Sequence, residues 1–357
     1  MEIRVGLLGF GFMGHNHANR LQALEKEGKL KFVAVCDTNA QQLADAPEGL
    51  KVYHNMDELF SDRDINTVII AIPNHLHKEA VIKAAEAELN ILCEKPVAMN
   101  VGELDEMLDA VERNKVKFTV HQQRRWDKDF RTAKQVYDEK TLGNVYTIQS
   151  KLYGFNGNMH DWHIYPEYGG GMLFDWGVHL IDQMLWMVNA PIASVFADVR
   201  NVINQNVDDY FKIILKFKNG VTGEIELGTY FLNDKENWFE HHWYIAGDKG
   251  TYRADGFTPD GRICRTTRLL TNVPGKITMT AAGPTRSFGP PAEGLLVTED
   301  VDTVETDHGM FFDNFIRALQ GKEEFVVTKS QVKRVLSLME AIRESAKTNQ
   351  SIAFEEE

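Results

Sequence analysis

Lys95 closes a short apolar run, Ile91-Leu92-Cys93, with Glu94 before it and Pro96 after it. Lysine shifts its pKa readily on burial, so it can give or take a proton. Pro96 restricts the backbone of the residue before it, which narrows where that lysine can point. Further along, Gly169-Gly170-Gly171 lead into Asp175, His179 and Asp182, which share one helical face. Almost everything around them is apolar, from Met172, Leu173 and Phe174 to Leu185, Trp186 and Met187, so this helix is expected to be buried. Its acids must then be paired or line a cavity, because unpaired burial is costly. Two readings stay open for the cluster: a core pair in which Asp182 orients His179, or an acid–base site completed by Lys95. The coincidence with Lys95 favours the second.

A glycine turn gives such a site something to hold. Gly9-Phe10-Gly11-Phe12-Met13-Gly14 fits G-x-G-x-x-G between an apolar run and a helical pattern, the context in which this turn binds a dinucleotide. The first glycine permits the tight turn, the second lets the backbone approach a pyrophosphate, and the third lets helix and strand pack closely. Helix N-terminal amides then meet the phosphates. Asp37 ends the second strand, where an acid accepts hydrogen bonds from the adenosine ribose and repels a 2′-phosphate. NAD is therefore the expected cofactor, with NADP the alternative. Ile72-Pro73-Asn74-His75-Leu76-His77 ends another strand, and Asn74 and His75 are placed to face the same cleft. Glu94 is a candidate contact to the nicotinamide ribose. The aromatic loop holding Tyr153, Trp162 and His163 mixes ring faces with hydrogen-bonding groups, which suits a sugar or cyclitol ring. The histidine pairs 15/17, 75/77 and 160/163 form no complete ligand set at zinc-like spacing, so no metal is expected.

These residues need a frame. Strand patterns at 3–8, 31–36, 67–72, 90–93 and 116–120 alternate with helical ones at 12–27, 38–44, 77–87 and 101–114, which implies βαβ units and a parallel sheet. After about His121 the character changes. Helices are expected at 129–139, 172–188, 306–320 and 329–348, and strands at 145–153, 210–217, 222–229, 243–246 and 251–254. Asn219-Gly220 and Gly247-Asp248-Lys249-Gly250 mark hairpins. Residues 256–300 carry no clear period and are expected to form a long mobile excursion.

The chain has 357 residues, enough for two domains, each with its own core. A formal net charge of -13 makes it a poor partner for nucleic acid. Three cysteines without a CxxC pair argue against disulfides and fit a reducing cytoplasm. No charged leader and no run approaching ~18 apolar residues is present, so neither a secretory signal nor a membrane span is expected.

Taken together, Gly9-x-Gly11-x-x-Gly14 with His17, Pro73-Asn74-x-x-His77, Glu94-Lys95-Pro96, and Gly170-Gly171 followed by Asp175 and His179 resemble the Gfo/Idh/MocA family, which includes glucose–fructose oxidoreductase and inositol dehydrogenases. The resemblance covers nearly the whole chain. It implies a Rossmann domain at 1–121, with a doubly wound parallel sheet, and an α+β domain at 122–357 built on a large, open, mainly antiparallel sheet that mediates homodimers or homotetramers. It implies Lys95, Asp175 and His179 as the catalytic set, and Arg125 near cofactor and substrate, although the double arginine leaves that register open. The implied reaction is reversible hydride transfer between nicotinamide and a secondary hydroxyl or ketone of a sugar, sugar derivative or cyclitol. Two other readings stand beside it: a non-catalytic NAD(P)-binding regulator, and a hydrolase of glycosides that uses NAD transiently.

Overall fold

The computed structural model describes residues 2–155, 159–231, 238–272, 275–286 and 289–355. The first part alternates strand and helix: β1 (Arg4–Leu8), α1 (Phe12–Lys26), β2 (Lys31–Cys36), β3 (Lys51–Tyr53), α2 (Met56–Ser61), β4 (Thr67–Ile70), α3 (His77–Glu86), β5 (Asn90–Cys93), α4 (Val101–Arg113) and β6 (Phe118–Val120). The six strands run parallel in the order β3-β2-β1-β4-β5-β6. Helices cover both faces, and for that reason Val68, Ile69, Ile70, Ile91 and Leu92 form continuous apolar runs with no exposed surface. The order reverses between β1 and β4, and such a switch point is where open α/β sheets bind ligands.

Two local expectations fail here. Residues 38–44 form no α-helix; Gln42–Asp45 make a single 3₁₀ turn, and Asp37 therefore caps no helix. The three residues of β3 are too short and too exposed to show a period, and the sequence did not announce them.

The second part contains α5 (Lys128–Asp138), β7 (Val145–Gly154), α6 (Val178–Met187), β8 (Ile192–Arg200), β9 (Tyr210–Phe217), β10 (Thr222–Gly228), β11 (Phe239–Gly247), β12 (Gly250–Asp255), β13 (Gly261–Thr266), β14 (Ile277–Thr280), β15 (Gly283–Arg286), β16 (Leu296–Val301), α7 (Gly309–Leu319), α8 (Lys329–Thr348) and β17 (Ile352–Ala353). Nine strands form one sheet in the order β16-β13-β12-β11-β7-β10-β9-β8-β17. Every pairing is antiparallel except β7 with β10. Both hairpins marked by their turn residues form. One face packs against α5, α6 and α8 through side chains such as Ile148, Leu152, Ile225 and Trp243. The opposite face carries Lys151, Tyr153, Lys212 and Glu224, which alternate with those core residues along their strands.

The stretch 256–300 is not a plain excursion. β13 and β16 extend the sheet, and β14 pairs with β15 as a separate hairpin. β16 is exposed along nearly its whole length, so no buried face imposes an alternating pattern on its sequence.

Candidate active site

The glycine turn has the shape a pyrophosphate needs. Gly9 has φ +95°, and a Cβ there would stand 2.2 Å from the Ala71 carbonyl oxygen. A Cβ on Gly14 would stand 2.2 Å from the Gly9 oxygen, which is the close strand–helix approach. A Cβ on Gly11 would meet nothing within 4 Å, so the backbone there borders open space. Phe10 buries its ring, while its amide donates to Asp37 Oδ2 at 2.7 Å. Asp37 Oδ1 accepts from the Asn39 amide, also at 2.7 Å. The carboxylate is thus set at the tip of β2, beside the turn. Phe12 projects into solvent and Met13 is half-buried, so the start of α1 is uncovered. The cradle fits a dinucleotide.

The ends of β4 and β5 are tied together by one imidazole. His77 is fully buried, with Nε2 2.8 Å from the Ile72 carbonyl and Nδ1 3.0 Å from the Pro96 carbonyl. Burial lowers its pKa against the pull of those two carbonyls. Next to it Asn74 donates to the Gly169 carbonyl at 3.2 Å, and His75 stacks on Tyr168 with ring centroids 4.4 Å apart. The turn after Pro73 therefore meets the triglycine segment across the cleft.

Glu94 faces inward. Its Oε1 lies 2.7 Å from both His17 Nε2 and His121 Nδ1, and its Oε2 accepts from the Lys95 amide at 3.2 Å. Burial works to raise this carboxyl, but the two imidazoles overcome it and hold it well below the usual range. Donor atoms of His17, Glu94 and His121 lie within 4.8 Å of one another, a set of ligating types that here bonds to itself. Both oxygens of Glu94 are taken by these partners, so this carboxylate anchors the turn that carries Lys95.

Lys95 reaches the other unit. Its Nζ donates to Asp175 Oδ1 at 2.7 Å and to the Asp175 carbonyl at 2.8 Å. Burial would raise the Asp175 carboxyl, yet the Lys95 ammonium, with His163 and Arg124 nearby, brings it below its ordinary value. Asp175 does not sit on the expected continuous helix. Leu173–Gly177 form one π-helical turn before α6 begins. Such wide turns occur often at functional sites.

His179 is buried, and its Nδ1 is 2.8 Å from Gln122 Oε1. Burial first, then the charges of Lys95 and Arg124, hold its pKa well below the usual 6.5. Asp182 does not orient it. Asp182 instead takes Arg125 in a bidentate pair, with Nε–Oδ2 and Nη2–Oδ1 both at 2.7 Å, and Arg125 Nη1 also donates to the Val326 carbonyl and to Gln331. Arg125 is thus a buried strut between Asp182 and the 326–331 segment. The neighbouring Arg124 is the one whose charge reaches Asp175 and His179, and its guanidinium lies 3.9 Å from the Trp176 ring centroid.

The aromatic loop divides. Trp162 and His163 stack at 3.8 Å, and His163 lies close enough to Asp175 and Lys95 for its pKa, lowered chiefly by burial, to register their charges. Tyr153 does not join them. It lies on the open face of the sheet, donates to Glu226 at 2.8 Å and stacks on Phe231. The period of β7 decides this: Ser150 and Leu152 take the helix side, so Tyr153 takes the other. The intervening residues 156–158 of that loop lie outside the described residues. Gln122 and Arg124 carried no sequence signal beyond their place in the Gln122–Trp126 run.

An acid, an ammonium and a neutral imidazole thus meet beside a dinucleotide cradle, which is equipment for moving a proton next to a redox cofactor. Residues 3–122 match the model described as the NAD-binding Rossmann fold of an oxidoreductase family, and residues 130–253 match the GFO/IDH/MocA C-terminal domain. An NAD-binding protein from Listeria innocua has a solved structure that superposes with a TM-score of 0.87 over 99% of this chain and 99% of its own, at 34% identity. The myo-inositol 2-dehydrogenase of Thermotoga maritima is 25% identical over 76% of this chain and 79% of its own. The 2,7-anhydro-N-acetylneuraminate hydratase of Mediterraneibacter gnavus is 30% identical over 70% of this chain and 66% of its own. With both halves matched in order and the whole length superposing on that solved relative, this chain belongs to the Gfo/Idh/MocA family of NAD-binding oxidoreductases.

Proposed function

We propose that the protein is a dehydrogenase acting on a secondary hydroxyl, or the matching ketone, of a sugar, sugar derivative or cyclitol. The observation that carries this reading is the Lys95–Asp175 pair, 2.7 Å across, beside the uncharged His179. Bound nicotinamide supplies the hydride chemistry. The protein's part is the proton. As the carbinol carbon gives up hydride and its C–O bond becomes a carbonyl, the hydroxyl proton passes to His179 Nε2, with Lys95 donating a hydrogen bond to the oxygen. Asp175 keeps Lys95 pointed at that oxygen and balances its charge. In the reverse direction the same groups return the proton.

The homologous inositol dehydrogenase supports a polyol substrate, and the rings of Trp162, His163 and Trp176 around the pair suit one. The open face of the nine-stranded sheet is the surface for a homodimer or homotetramer. A second reading follows from the relative named a hydratase: addition of water leaves no net change in nicotinamide. Sugars, cyclitols and acidic sugars should be screened with NAD and with NADP, following reduced nicotinamide and identifying products. Net reduced cofactor with a ketone product supports a dehydrogenase. Turnover without reduced cofactor supports the redox-neutral reading, and binding without any turnover supports a regulator. In Lys95→Ala, turnover should fall by ~10²–10³-fold, the usual cost of removing one hydrogen-bond donor to the reacting oxygen. Unchanged turnover would remove Lys95 from the mechanism.

A further inference from the structure

The imidazole of His179 is held by a side chain that its own helix does not supply. Gln122 follows β6, is 3% exposed, and places Oε1 at 2.8 Å from His179 Nδ1. An amide oxygen only accepts, so Nδ1 carries the hydrogen and Nε2 keeps its lone pair. The opposite amide orientation would force Nδ1 to accept and put the hydrogen on Nε2, which would then be unable to take a substrate proton. The Gln122 main chain is itself fixed. Its backbone N–H donates to the Val120 carbonyl, and its backbone carbonyl accepts from the backbone N–H of Arg125, the residue locked against Asp182. Among the described residues, no protein group bonds His179 Nε2. Lys95, Arg124, Glu94 and His121 are among the charged and titratable groups whose fields reach the ring.

We infer that Gln122 is a positioning residue: it locks His179 in the Nδ1–H form and leaves a basic Nε2 for the substrate hydroxyl. This rests on the proposed role of His179 as proton acceptor. A neutral acceptor at Nδ1 is the informative choice. A carboxylate there would favour imidazolium, whereas the amide fixes direction and leaves the ring uncharged and able to accept.

The test is nitrogen-15 spectroscopy of histidine-labelled protein, with His179 assigned by its loss in His179→Ala. At neutral pH, Nδ1 should be protonated and Nε2 unprotonated. Gln122→Glu keeps the shape but supplies a carboxylate. It should raise the titration of this ring and carry the acid limb of kcat for alcohol oxidation to higher pH. Gln122→Met fills the space with no comparable acceptor; it should mix the tautomers and lower kcat by roughly 10–100-fold with KM little changed, the range for outer partners that orient imidazoles. A wild-type ring protonated at Nε2 overturns the inference, as does a titration that Gln122→Glu leaves unmoved. Should Gln122→Met fail to fold, Gln122→Glu decides alone. If no alcohol is oxidised, the spectra still report the tautomer, so failure of the function and failure of the lock are told apart.

Discussion

His179 is buried away from solvent and feels the charges of Lys95 and Arg124, and its depressed pKa keeps it neutral where a free imidazole would begin to charge. A base must be unprotonated to act. Turnover in the direction of alcohol oxidation should therefore hold its plateau down through pH 6.5, with the acid limb lying below that value. A limb at or above 6.5 in a kcat–pH profile would show that another group accepts the proton. At this scale the sequence was partly legible. Lys95, Asp175 and His179 stood out because reactive residues were set in apolar or glycine-rich surroundings. Arg124 and Arg125 could not be told apart, because two adjacent arginines look alike until the fold turns one to Trp176 and the other to Asp182. Gln122 was silent, since a glutamine acquires a role only through what it faces.

The turn between the triglycine segment and α6 shows what an element adds. Gly171 has φ +98°, and a Cβ there would lie 2.3 Å from Asp208 Oδ1. Asp208 Oδ2 in turn accepts from the Leu173 amide at 2.7 Å, which fastens the start of the π-helical turn. Gly171→Ala should cost about 1–3 kcal/mol through the left-handed backbone. It should also lower kcat more than NADH affinity, because Asp175 is displaced while the glycine turn at 9–14 is untouched. Equal losses in kcat and NADH binding would argue against this. The triglycine was legible as a place where side chains are excluded. The π turn was not, because the i, i+4 spacing of Asp175 and His179 suggests an ordinary helix. Helix 38–44 failed for a different reason: Thr38 and Asn39 are poor helix formers, and the chain there is largely exposed, so no packing enforces the helical types that follow. Strands such as β1, β4, β5, β7, β9 and β10 were legible, because burial on one face or both imposes a pattern, whereas the largely exposed β3 and β16 were not.

Across the whole molecule, buried titratable groups set the response to acid. His77, His121 and His179 all have pKa values lowered by burial. Their stabilisation is present above the unfolded value of 6.5 and is lost as the pH falls below it, because the unfolded chain takes up protons first. Asp208 works the other way. Burial pushes it up to about 6, so its contribution is greatest below its unfolded 3.8 and fades as the pH rises through 6. Tm should therefore fall between pH 6.5 and 4, and Asp208→Asn should steepen that fall. A flat Tm over this interval would contradict the assignment. Asp182→Ala, which strands the Arg125 guanidinium in the core, should cost about 3–5 kcal/mol in chemical denaturation. Arg125 also leans on α8, through Gln331, and α8 touches α4 and β6 of one sheet as well as α6 and β8 of the other. A ribosome releases α6 well before α8, so the strut behind His179 cannot be completed until synthesis has passed Gln331. Nascent chains that already display every reactive residue would still lack part of that strut, and the wait for that late helix makes folding here a problem of distant partners.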